Sequence, residues 1–450
     1  MAQKVIISGG GTGGHVFPAI AIANALRRVT PEIEILFVGA KGKMEMEKVP
    51  AAGYSIVGLD IQGFNRSSLL KNISLPFKMI NSLLKARKVI KDFKAHVAVG
   101  VGGYASGPLL MMANLMGLPT LIQEQNSFAG KTNKSLGSKA KKVCVAYEGM
   151  EQFFPAEKVL LTGNPIRRTS VDIEGKKGEA LVSFGLEAGK KTILVTGGSL
   201  GAGTLNDCVK QAFEKFKEAD VQVIWQCGSY YHEMLNTEIQ DLPYNVKMMP
   251  FLQRMDYAYA AADLIIARAG AGTISELCVV GKPVILVPSP NVAEDHQTKN
   301  AMALVNKDAA LMVRDDEARE KLVDEAIALL RDENRMNVLA ENIKKLALLD
   351  ADDVIAQEIL KLNIDQIKQV YLIGIGGIGM SGLARYFHHL GCKVAGYDRT
   401  ETDLTIALVD EGIDIIYQDE VSMIPSDFDQ PSEDSLVIFT PAVPKDLKIK

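Results

Sequence analysis

Residues 4–18 read KVIISGGGTGGHVFP, and this stretch decides the fold of the first part of the chain. Residues 4–8 predict a short buried strand, and the apolar pattern of residues 18–29 predicts a helix. Between them, five of the seven residues 9–15 are glycine. Glycines let a backbone approach a ligand closely, and the start of a helix offers unpaired N–H groups to an anion. The stretch therefore predicts a phosphate-binding turn, although a tight strand-to-helix turn also needs glycine.

The strand–glycine–helix pattern occurs twice more before residue 300. Residues 197–202 (GGSLGA) follow the strand-like residues 192–196, and residues 268–276 (RAGAGTISE) follow residues 264–267. One such loop alone is a weak signal. Loops of this kind in both halves of a two-domain protein predict a cleft that binds a diphosphate compound.

Short β-branched runs alternate with longer helical patterns, which predicts an α/β fold with two doubly wound parallel sheets. The predicted strands of the first sheet are residues 4–8, 33–38, 97–101, 120–123 and 142–146. Those of the second are residues 192–196, 222–226, 264–267 and 284–287.

The turn Gly163-Asn164-Pro165 separates the two sets of strands and is the predicted hinge. We therefore predict a first Rossmann-like domain at residues 1–163 and a second at 164–362. Residues 341–362 are helical in pattern and are expected to close the second domain, whose last helices would pack back toward the first. A linker at 363–368 leads to a partial third Rossmann-like domain at 369–450.

The composition is that of a soluble globular protein, with 450 residues of which 47% are hydrophobic and 23% charged. The five cysteines are scattered and form no C-x-x-C pair. They argue against a disulfide framework or a zinc site and fit a reducing cytoplasm. The first strand begins close to Met1, so we expect no signal peptide, and no apolar run is long enough to span a bilayer.

Charge is distributed unevenly along the chain. The net charge is −4, but residues 1–163 hold 20 Lys/Arg and 10 Asp/Glu, so the remaining residues carry −14. Residues 66–94 alone hold eight basic residues and one acid, and residues 131–142 hold five lysines. This asymmetry favours a local anionic partner, an anionic membrane surface rather than nucleic acid. A solvated lysine-rich face is the alternative.

Seven motifs, in order over some 360 residues, carry a family resemblance. They are residues 9–18, 102–108 (GGYASGP), 123–126 (QEQN) with 130–133, 163–167 (GNPIR), 197–199 with Asn206, 268–276 and 295–301 (DHQTKNA). The chain resembles the bacterial lipid II-forming N-acetylglucosaminyltransferases, which have the two-domain GT-B fold. The resemblance implies an inverting transfer of N-acetylglucosamine from UDP-N-acetylglucosamine to the C4 hydroxyl of undecaprenyl-diphospho-muramoyl-pentapeptide, in peptidoglycan synthesis.

The resemblance also implies a donor site, mainly on the second domain. Ser199 would contact a donor phosphate, Arg167 would hold the nucleotide from the hinge, and the backbone at Leu252 would read the uracil edge. The other implied donor contacts are Glu276 to the ribose, Gln297 and Asn126 to the sugar, Thr12, Gly13 and Gly14 from the first domain, and Arg268, Ala271, Gly272 and Thr273. Two departures, Leu200 and His296 where other members have a polar residue and a glutamine, leave the detailed sugar contacts open.

Glu276 has a structural alternative. Thr273-x-x-Glu276 fits a capping box, in which the glutamate only satisfies an N–H group at a helix start. From the spacing alone the cap is favoured, whereas the resemblance favours the ribose contact.

Transfer to a sugar hydroxyl needs a base, because the proton must leave as the oxygen attacks. His15 ends the first glycine loop, and the ordinary pKa of histidine suits this task. Glu124, at the end of a predicted strand, is the competing base, and either residue could orient the other. Tyr104 and Asn133 are weaker candidates for acceptor binding.

The leaving UDP gains negative charge, which a metal ion or fixed donors must stabilise. Asp350-x-Asp352 and Asp427-x-Asp429 spell a D-x-D pattern, but both contexts favour helix caps or solvated acids. We therefore expect no catalytic metal and no other cofactor. Arg268 and the N–H groups of residues 198–201 would take that role.

Four apolar residues follow one face of a helix that starts near Pro76, among basic residues: Ile73, Phe77, Ile80 and Leu84. Such a stripe is ordinarily core. The basic flanks and a lipid-linked acceptor instead predict peripheral docking on the cytoplasmic face of the inner membrane.

The third segment opens on the glycine loop Gly374-x-Gly376-Gly377-x-Gly379, after a strand at residues 370–373, and Asp398 follows the strand at 393–397. Taken alone, this is a dinucleotide-binding fingerprint. The loop more closely resembles the N-terminal domain of UDP-N-acetylmuramate–L-alanine ligase, which implies that it binds the UDP part of a substrate. Because the ATP loop of that ligase is absent, we expect no ligation by this segment alone.

Three other functions fit the same sequence less well. A UDP-N-acetylglucosamine 2-epimerase shares the fold but needs no lipid acceptor or basic apolar patch. A non-catalytic sugar-nucleotide sensor would account for the third segment, and an NAD oxidoreductase is motivated only by residues 374–379.

Overall fold

The computed structural model describes residues 3–61, 75–364, 367–428, 434–440, 443–444 and 446–449. By its internal contacts the chain forms two compact units, Met1–Ile359 and Leu360–Lys450. The first unit contains two parallel sheets and the second contains one.

The first sheet is doubly wound, with its central strands buried. Its described strands run in the order β3-β2-β1-β4-β5-β6-β7, all parallel. They are β1 (Lys4–Gly9), β2 (Glu34–Ala40), β3 (Ser55–Leu59), β4 (Val97–Gly102), β5 (Thr120–Glu124), β6 (Lys142–Val145) and β7 (Val159–Leu161). The helices are α1 (Gly13–Val29), α2 (Glu45–Ala51), α3 (Leu75–Phe93), α4 (Ser106–Leu115) and α5 (Lys131–Gly137).

The second sheet repeats this architecture in the order β10-β9-β8-β11-β12-β13. Its described strands are β8 (Lys191–Thr196), β9 (Val221–Gln226), β10 (Val246–Met249), β11 (Leu264–Ala267), β12 (Val284–Leu286) and β13 (Leu311–Met312). The helices before β11 are α6 (Arg168–Val171), α7 (Lys177–Phe184), α8 (Gly203–Gln211), α9 (Phe213–Glu218), α10 (His232–Glu238) and α11 (Met255–Ala261). Those after it are α12 (Ala271–Val280), α13 (His296–Val305), α14 (Ala318–Arg331), α15 (Glu333–Lys344) and α16 (Ala351–Ile364).

Alternation along β8 builds a core on each face of this sheet. Ile193 and Val195 are buried in one cluster, with Leu205 of α8 and Leu322 of α14. Leu194 lies in the other cluster, which α11 and α12 complete. Successive side chains of a strand point to opposite faces, so a run of apolar residues fits a strand covered on both sides.

The order of each sheet places the glycine loops at its switch points. The chain leaves β1 and β4, which are neighbours, toward helices whose connections run to opposite sides of the sheet. The same holds for β8 and β11. Ligands of doubly wound sheets bind at such points, beyond the carboxyl ends of the strands. The α/β fold class predicted from the sequence is confirmed.

The structure differs from the sequence predictions in its strands and helices. Four of the described strands of the first unit, β3, β7, β10 and β13, were not predicted. The helical pattern predicted for residues 341–362 is interrupted, because α15 ends at Lys344 and α16 begins at Ala351. Leu348, between them, packs on the hinge: a Cβ added to Gly163 would lie 2.6 Å from the Leu348 Cβ. The start of the predicted linker is also helical, since α16 continues to Ile364.

The second unit holds a smaller parallel sheet in the order β16-β15-β14-β17. Its described elements are β14 (Gln369–Ile373), α17 (Ile378–His389), β15 (Lys393–Tyr397), α18 (Asp403–Asp410), β16 (Asp414–Ile416) and β17 (Ser435–Phe439). Among the described residues of the whole chain, no helix is both long and apolar enough to cross a membrane.

Candidate active site

The first glycine loop lies against the chain segment that follows β4. The Gly10 amide donates to the Gly102 carbonyl at 3.2 Å. Gly103 has a φ of +92°, and a Cβ added there would lie 2.2 Å from the Gly10 carbonyl oxygen. Gly103 is therefore required by the close approach of the two backbones.

Glu45 supports the loop from below and was not predicted. It is fully buried, and its carboxylate accepts hydrogen bonds from the amides of Gly11 and Ala40, each at 2.9 Å. A Cβ on Gly10 would lie 2.2 Å from Glu45 Oε1. Only the folded structure brings this carboxylate under the loop, so no local pattern could have identified it.

His15 is the third residue of α1, and contacts on two sides of its ring fix the orientation of the ring. Nδ1 lies 3.0 Å from the Gly10 carbonyl oxygen and 3.3 Å from Thr12 Oγ1. A carbonyl oxygen can only accept, so Nδ1 carries the proton of this hydrogen bond and Nε2 keeps its lone pair. On the other side the ring packs on Gly102, where an added Cβ would lie 2.6 Å from Cδ2.

Burial lowers the pKa of His15, against the opposing effects of the Gly10 hydrogen bond and the Glu124 charge. The ring is therefore neutral at neutral pH, as a proton acceptor must be. His296 also lowers this pKa through its charge, so the two histidines lie within electrostatic range. His296 Nε2 lies 3.5 Å from Glu294 Oε2, and the left-handed backbone of Glu294 (φ 56°) and Asp295 (φ 53°) shapes this turn.

Glu124, the competing base, has both carboxylate oxygens occupied. Oε1 accepts from the backbone and side-chain nitrogens of Asn126 at 3.1 and 3.3 Å. Oε2 accepts from the Gly130 amide at 3.0 Å and from Asn133 Nδ2 at 2.8 Å. Because the side chain is buried and ties the loop after β5 together, this geometry favours His15 as the base and Glu124 as an organiser of the loop.

The two acceptor candidates differ in their surroundings. Tyr104 is half exposed, with its ring 3.8 Å from a Cβ added to Gly11, so it stands beside the first glycine loop. Asn133 is buried and donates to Glu124. Its Oδ1 is also buried and has no hydrogen-bond partner among the described residues. Tyr104 is thus the more accessible of the two.

The loop after β5 contacts the second domain directly through Asn300 of α13. Asn300 Nδ2 donates to Asn126 Oδ1 at 3.1 Å, and Asn300 Oδ1 accepts from the amide and hydroxyl of Ser127 at 2.9 and 3.1 Å. Phe128 adds cation–π contacts, its ring centroid 3.8 Å from Lys134 Nζ and 3.3 Å from Lys299 Nζ. Asn126 therefore lies where the domains meet, beside the loop before α12.

The hinge is held by Asn164. Its Oδ1 accepts from Gln123 at 2.9 Å, and its Nδ2 donates to the Gln125 carbonyl and to Ser275 Oγ, both at 3.0 Å. One buried amide thus links the end of β5 to α12. Asn164 directly follows Gly163, whose φ of +85° forms the turn that the sequence predicts there.

The second glycine loop presents Ser199 to solvent. The loop turns at Gly198 and Gly201, with φ values of +84° and +83°, and a Cβ on Gly201 would lie 2.0 Å from the Cys227 carbonyl oxygen. Gln226, which was not predicted, joins this loop to Leu252. Its Nε2 donates to the Gly198 carbonyl at 2.8 Å, and its Oε1 accepts from the Leu252 amide at 3.1 Å.

The third glycine loop begins α12, and here the capping-box prediction is wrong. Gly270 is the N-cap, so Ala271, Gly272 and Thr273 occupy the first turn and Thr273 caps nothing. Glu276 instead accepts a hydrogen bond from the buried Tyr259 hydroxyl at 3.0 Å.

Among the described residues, the hydrogen bond from Tyr259 occupies Oε2 of Glu276 and leaves Oε1 for another partner. Burial raises the pKa of Glu276, while the Tyr259 hydrogen bond and the positive charge of Arg167 lower it. Arg167 is exposed at the hinge, close enough for its charge to act on Glu276. Gln297 Oε1 accepts from the amides of Ala269 and Ser289 at 3.1 and 2.9 Å, so its Nε2 remains as a donor.

Arg268 has structural partners. Its Nη1 donates to the carbonyls of Val287 and Pro288 at 3.0 and 3.2 Å and forms an ion pair with Asp315. The side chain is mostly buried. The contact with the leaving group that the sequence predicts for Arg268 must therefore be made by N–H groups other than those of Nη1.

The two acids of the first D-x-D pattern differ in their surroundings. Asp350, just before α16, is 69% exposed, as predicted for a solvated acid, and its Oδ1 lies 3.3 Å from Arg168 Nη2. Asp352 is buried and accepts from Arg28 at 2.6 Å and from Arg168 at 3.1 Å. Asp353 pairs with the same two arginines at 2.7 and 2.5 Å. These ion pairs hold α16 against α1 and α6, and they correct the prediction of a solvated acid at Asp352.

In the second pattern, Asp427 pairs with Lys393, and Asp429 lies outside the described residues. Among the described residues, no three His, Cys, Asp or Glu side chains group closely enough to hold a metal ion.

The apolar stripe of α3 is exposed. The exposed fractions are 71% for Phe77, 56% for Ile80 and 59% for Leu84. The expectation that such a stripe belongs to the core is therefore wrong for these three residues. Ile73 lies outside the described residues. Lys85 donates to the Gly58 carbonyl at 2.7 Å, whereas Arg87, Lys88 and Lys91 are exposed, so basic groups do accompany the stripe.

The glycine loop of the second unit is tied to Asp398. The Gly376 amide donates to Asp398 Oδ2 at 2.7 Å, and a Cβ on Gly376 would lie 2.8 Å from that oxygen. Gly374 turns at φ +84°, and Gly377 caps α17 with Gly379 in its first turn. Asp398 thus supports the loop, a role that the NAD fingerprint does not describe.

Comparisons with known protein families agree over both units. Residues 5–145 match the N-terminal domain of glycosyltransferase family 28, residues 192–358 match its C-terminal domain, and residues 369–449 match the catalytic domain of the Mur ligase family.

Curated relatives resemble the chain over its first four-fifths. A protein of Phocaeicola vulgatus, named UDP-N-acetylglucosamine--N-acetylmuramyl-(pentapeptide) pyrophosphoryl-undecaprenol N-acetylglucosamine transferase, is 57% identical over 362 residues, 80% of this chain and 96% of that protein. A protein of the same name from Bacteroides thetaiotaomicron is 56% identical, over 80% of this chain and 97% of its own length.

Among solved structures, MurG of Acinetobacter baumannii aligns with a TM-score of 0.65 and 30% identity, covering 80% of this chain and 99% of that one. A UDP-N-acetylglucosamine 2-epimerase aligns with a TM-score of 0.54 at 15% identity, which shows a shared fold alone.

Proposed function

The chain belongs to the family of UDP-N-acetylglucosamine–N-acetylmuramyl-(pentapeptide) pyrophosphoryl-undecaprenol N-acetylglucosamine transferases, and we propose that it catalyses the reaction of that name. It is a hexosyltransferase that converts lipid I to lipid II in peptidoglycan synthesis. The identity of its relatives over nearly their whole length favours this function over epimerisation. The fold alone would not have separated the two.

The hydrogen bonding of His15 is the observation that carries the chemical proposal. The donated bond from Nδ1 to Gly10 leaves the Nε2 lone pair for a proton, and burial keeps the ring neutral. In the proposed step, the acceptor C4 oxygen attacks the anomeric carbon and forms the new bond. Its proton passes to Nε2, and the bond from that carbon to the UDP oxygen breaks with its electron pair leaving on UDP.

The donor contacts follow from the loops of the second domain. The free oxygen of Glu276 is suited to a ribose hydroxyl, and Gln297 Nε2 to a sugar oxygen. Ser199, exposed on its glycine loop, is suited to a phosphate. Arg167 would add positive charge at the nucleotide, and the start of α8 would offer its unpaired N–H groups to the leaving diphosphate.

The leaving-group chemistry is proposed to need no metal ion and no cofactor. The positive end of a helix and the loop amides of residues 198–201 are fixed donors, which can stabilise developing charge without reorganisation.

We further propose that the α3 face, defined as Phe77, Ile80 and Leu84, docks the enzyme on the cytoplasmic face of the inner membrane. Three exposed large apolar side chains on one helix are suited to the boundary between headgroups and acyl chains. The exposed residues Arg87, Lys88 and Lys91 supply the charge that an anionic leaflet attracts.

The direct test is to incubate radiolabelled UDP-N-acetylglucosamine with a lipid-linked muramoyl-pentapeptide and to follow label in the lipid fraction. We expect label to enter the lipid. Conversion of the donor to its 2-epimer without transfer would instead identify an epimerase.

A further inference from the structure

The peptide bond between Gly10 and Gly11 connects Glu45 to His15. Its N–H group, from Gly11, donates to Glu45 Oε2 at 2.9 Å, and its carbonyl, from Gly10, accepts from His15 Nδ1 at 3.0 Å. The peptide is trans, and the N–H and C=O groups of a trans peptide point in opposite directions. The carboxylate on one side of this peptide therefore fixes the direction of the carbonyl on the other side.

The side chains of its own residues do not hold this peptide plane, since both residues are glycine. Gly11 has a φ of +84°, a conformation that a residue without a Cβ adopts readily. Rotation of the plane therefore meets little steric resistance, and the hydrogen bond from Gly11 to Glu45 opposes that rotation.

Glu45 is itself held firmly at the start of α2. Its side chain is fully buried, and Oε1 accepts from the Ala40 amide at 2.9 Å. Two glycines leave room for it: a Cβ added to Gly10 would lie 2.2 Å from Oε1, and one added to Gly39 would lie 2.6 Å from Cγ. Both carboxylate oxygens thus face amide donors. A carboxamide cannot reproduce this arrangement, because its NH₂ group only donates.

The direction of the Gly10 carbonyl decides which ring nitrogen of His15 carries the proton. Thr12 Oγ1, 3.3 Å from Nδ1, is the competing partner. A hydroxyl can donate as well as accept, whereas a carbonyl only accepts. With the carbonyl in place, the proton lies on Nδ1 and Nε2 is free to accept one. With the carbonyl turned away, the Thr12 hydroxyl would donate to Nδ1, and the ring proton would block Nε2.

The negative charge of Glu45 also favours the protonated ring that a base becomes. Burial has the largest effect on the pKa of His15 and lowers it, whereas the charge of Glu45 raises it. Hydrogen bonds linked in a buried chain polarise one another, so the carboxylate makes the Gly10 carbonyl a stronger acceptor. The imidazolium formed when Nε2 takes a proton is stabilised as a result.

We propose that Glu45 is a positioning residue for the base, and that through the Gly10–Gly11 peptide it holds neutral His15 in the tautomer with its proton on Nδ1. Because Glu45 is fully buried beneath the loop, it acts on the reaction through His15. The effect on turnover rests on the proposed function, whereas the tautomer does not.

Histidine-selective ¹⁵N NMR of the full chain measures the tautomer, because a ring nitrogen with a proton and one with a lone pair resonate at well-separated frequencies. The chain has six histidines, and the spectrum of His15→Ala identifies the signals of His15. At neutral to slightly alkaline pH we expect Nδ1–H in the wild type and a shift toward Nε2–H in Glu45→Gln. Glu47→Gln, at an exposed glutamate of the same helix, is the matched control and should give the wild-type spectrum.

Turnover provides a second measurement. Loss of a carboxylate in direct contact with a catalytic histidine lowers kcat about 10⁴-fold, so with a peptide between the two groups we expect Glu45→Gln to lower kcat about 10- to 100-fold. In a His15→Ala background the same substitution should lower turnover less than about threefold, because no imidazole is left to orient. Equal losses in both backgrounds would show that Glu45 only supports the fold.

An Nε2–H tautomer in the wild type overturns the proposal without any variant, and so does an unchanged tautomer in folded Glu45→Gln. If Glu45→Gln does not fold, Gly10→Ala tests the same peptide, because its methyl group would displace the carboxylate. It should shift the tautomer in the same way, and an unchanged Nδ1–H tautomer there also contradicts the proposal. Because the spectra need neither donor nor acceptor, failure of the transferase proposal would leave the tautomer result intact.

Discussion

Replacing Glu276 by alanine should weaken donor binding at least about tenfold. One carboxylate oxygen is taken by the Tyr259 hydroxyl at 3.0 Å, which leaves the other for a ribose hydroxyl. A hydrogen bond to a charged group contributes about 1.5–3 kcal/mol, and about 1.4 kcal/mol is tenfold in affinity. Calorimetric titration of UDP-N-acetylglucosamine into the wild type and Glu276→Ala measures the change directly.

Tyr259→Phe is the matched control for this experiment. Both variants break the same buried hydrogen bond and should lower the melting temperature, but only Glu276→Ala removes the ribose acceptor. We expect Tyr259→Phe to keep donor affinity within about threefold, which corresponds to about 0.65 kcal/mol. If Glu276→Ala melts lower yet binds donor like the wild type, the carboxylate is structural and the proposed ribose contact is refuted.

The raised pKa of Glu276 adds a pH dependence to the same titration. A protonated carboxyl is a weaker acceptor, so donor affinity should fall as the pH drops through that pKa. The pH dependence of folding stability has the opposite sign to that of donor affinity. A carboxyl whose pKa is raised on folding contributes stability at low pH and loses it as the pH rises through the folded pKa.

The remaining predictions concern the metal, the second unit and the membrane. Turnover should persist in excess EDTA, and a loss that magnesium or manganese restores would overturn the metal-free proposal. Removing residues 369–450 should leave turnover nearly unchanged, because the transferase loops lie in the first unit; a folded but inactive truncation would contradict this. Serine at the three positions of the α3 face should abolish binding to anionic vesicles while the melting temperature and turnover on a short soluble acceptor persist, with Val182→Ser, at an 80% exposed valine, as the control. Normal vesicle binding by a well-folded triple variant would place the docking surface elsewhere.

Local patterns were sufficient for the central strands and the glycine loops. Residues 4–8 and 192–196 are rich in β-branched apolar residues and are followed by glycine, so strand, turn and helix could each be identified without tertiary information. Edge strands such as β13, with two residues, are too short to give such a signal. The break between α15 and α16 was missed because Leu348 leaves the helix to pack on Gly163, a contact that helical periodicity does not encode.

The candidate site likewise combines features that local sequence patterns predict with features that only tertiary contacts determine. The sequence spacing correctly placed Thr273 and Glu276 on one helix. The extended backbone of Gly270 makes that residue the N-cap, so Thr273 lies inside the helix and cannot form the predicted capping box. Periodicity on α3 could not tell a core stripe from an exposed one, since both have the same spacing. The support that Glu45 gives to the first loop depends on contacts distant in sequence, so only the structure reveals it.

The central claim is that His15 is the base, and a comparison of turnover by the wild type and His15→Ala at saturating donor tests it most directly. General base catalysis contributes about 10²- to 10⁴-fold, so kcat should fall by that factor while calorimetric donor affinity stays near the wild-type value. Because burial lowers the pKa of His15, the wild-type kcat/KM should decline only below about pH 6.5, the ordinary value for histidine, and the variant should lack this decline. Turnover by His15→Ala within about threefold of the wild type, with the acid decline retained, would contradict the assignment.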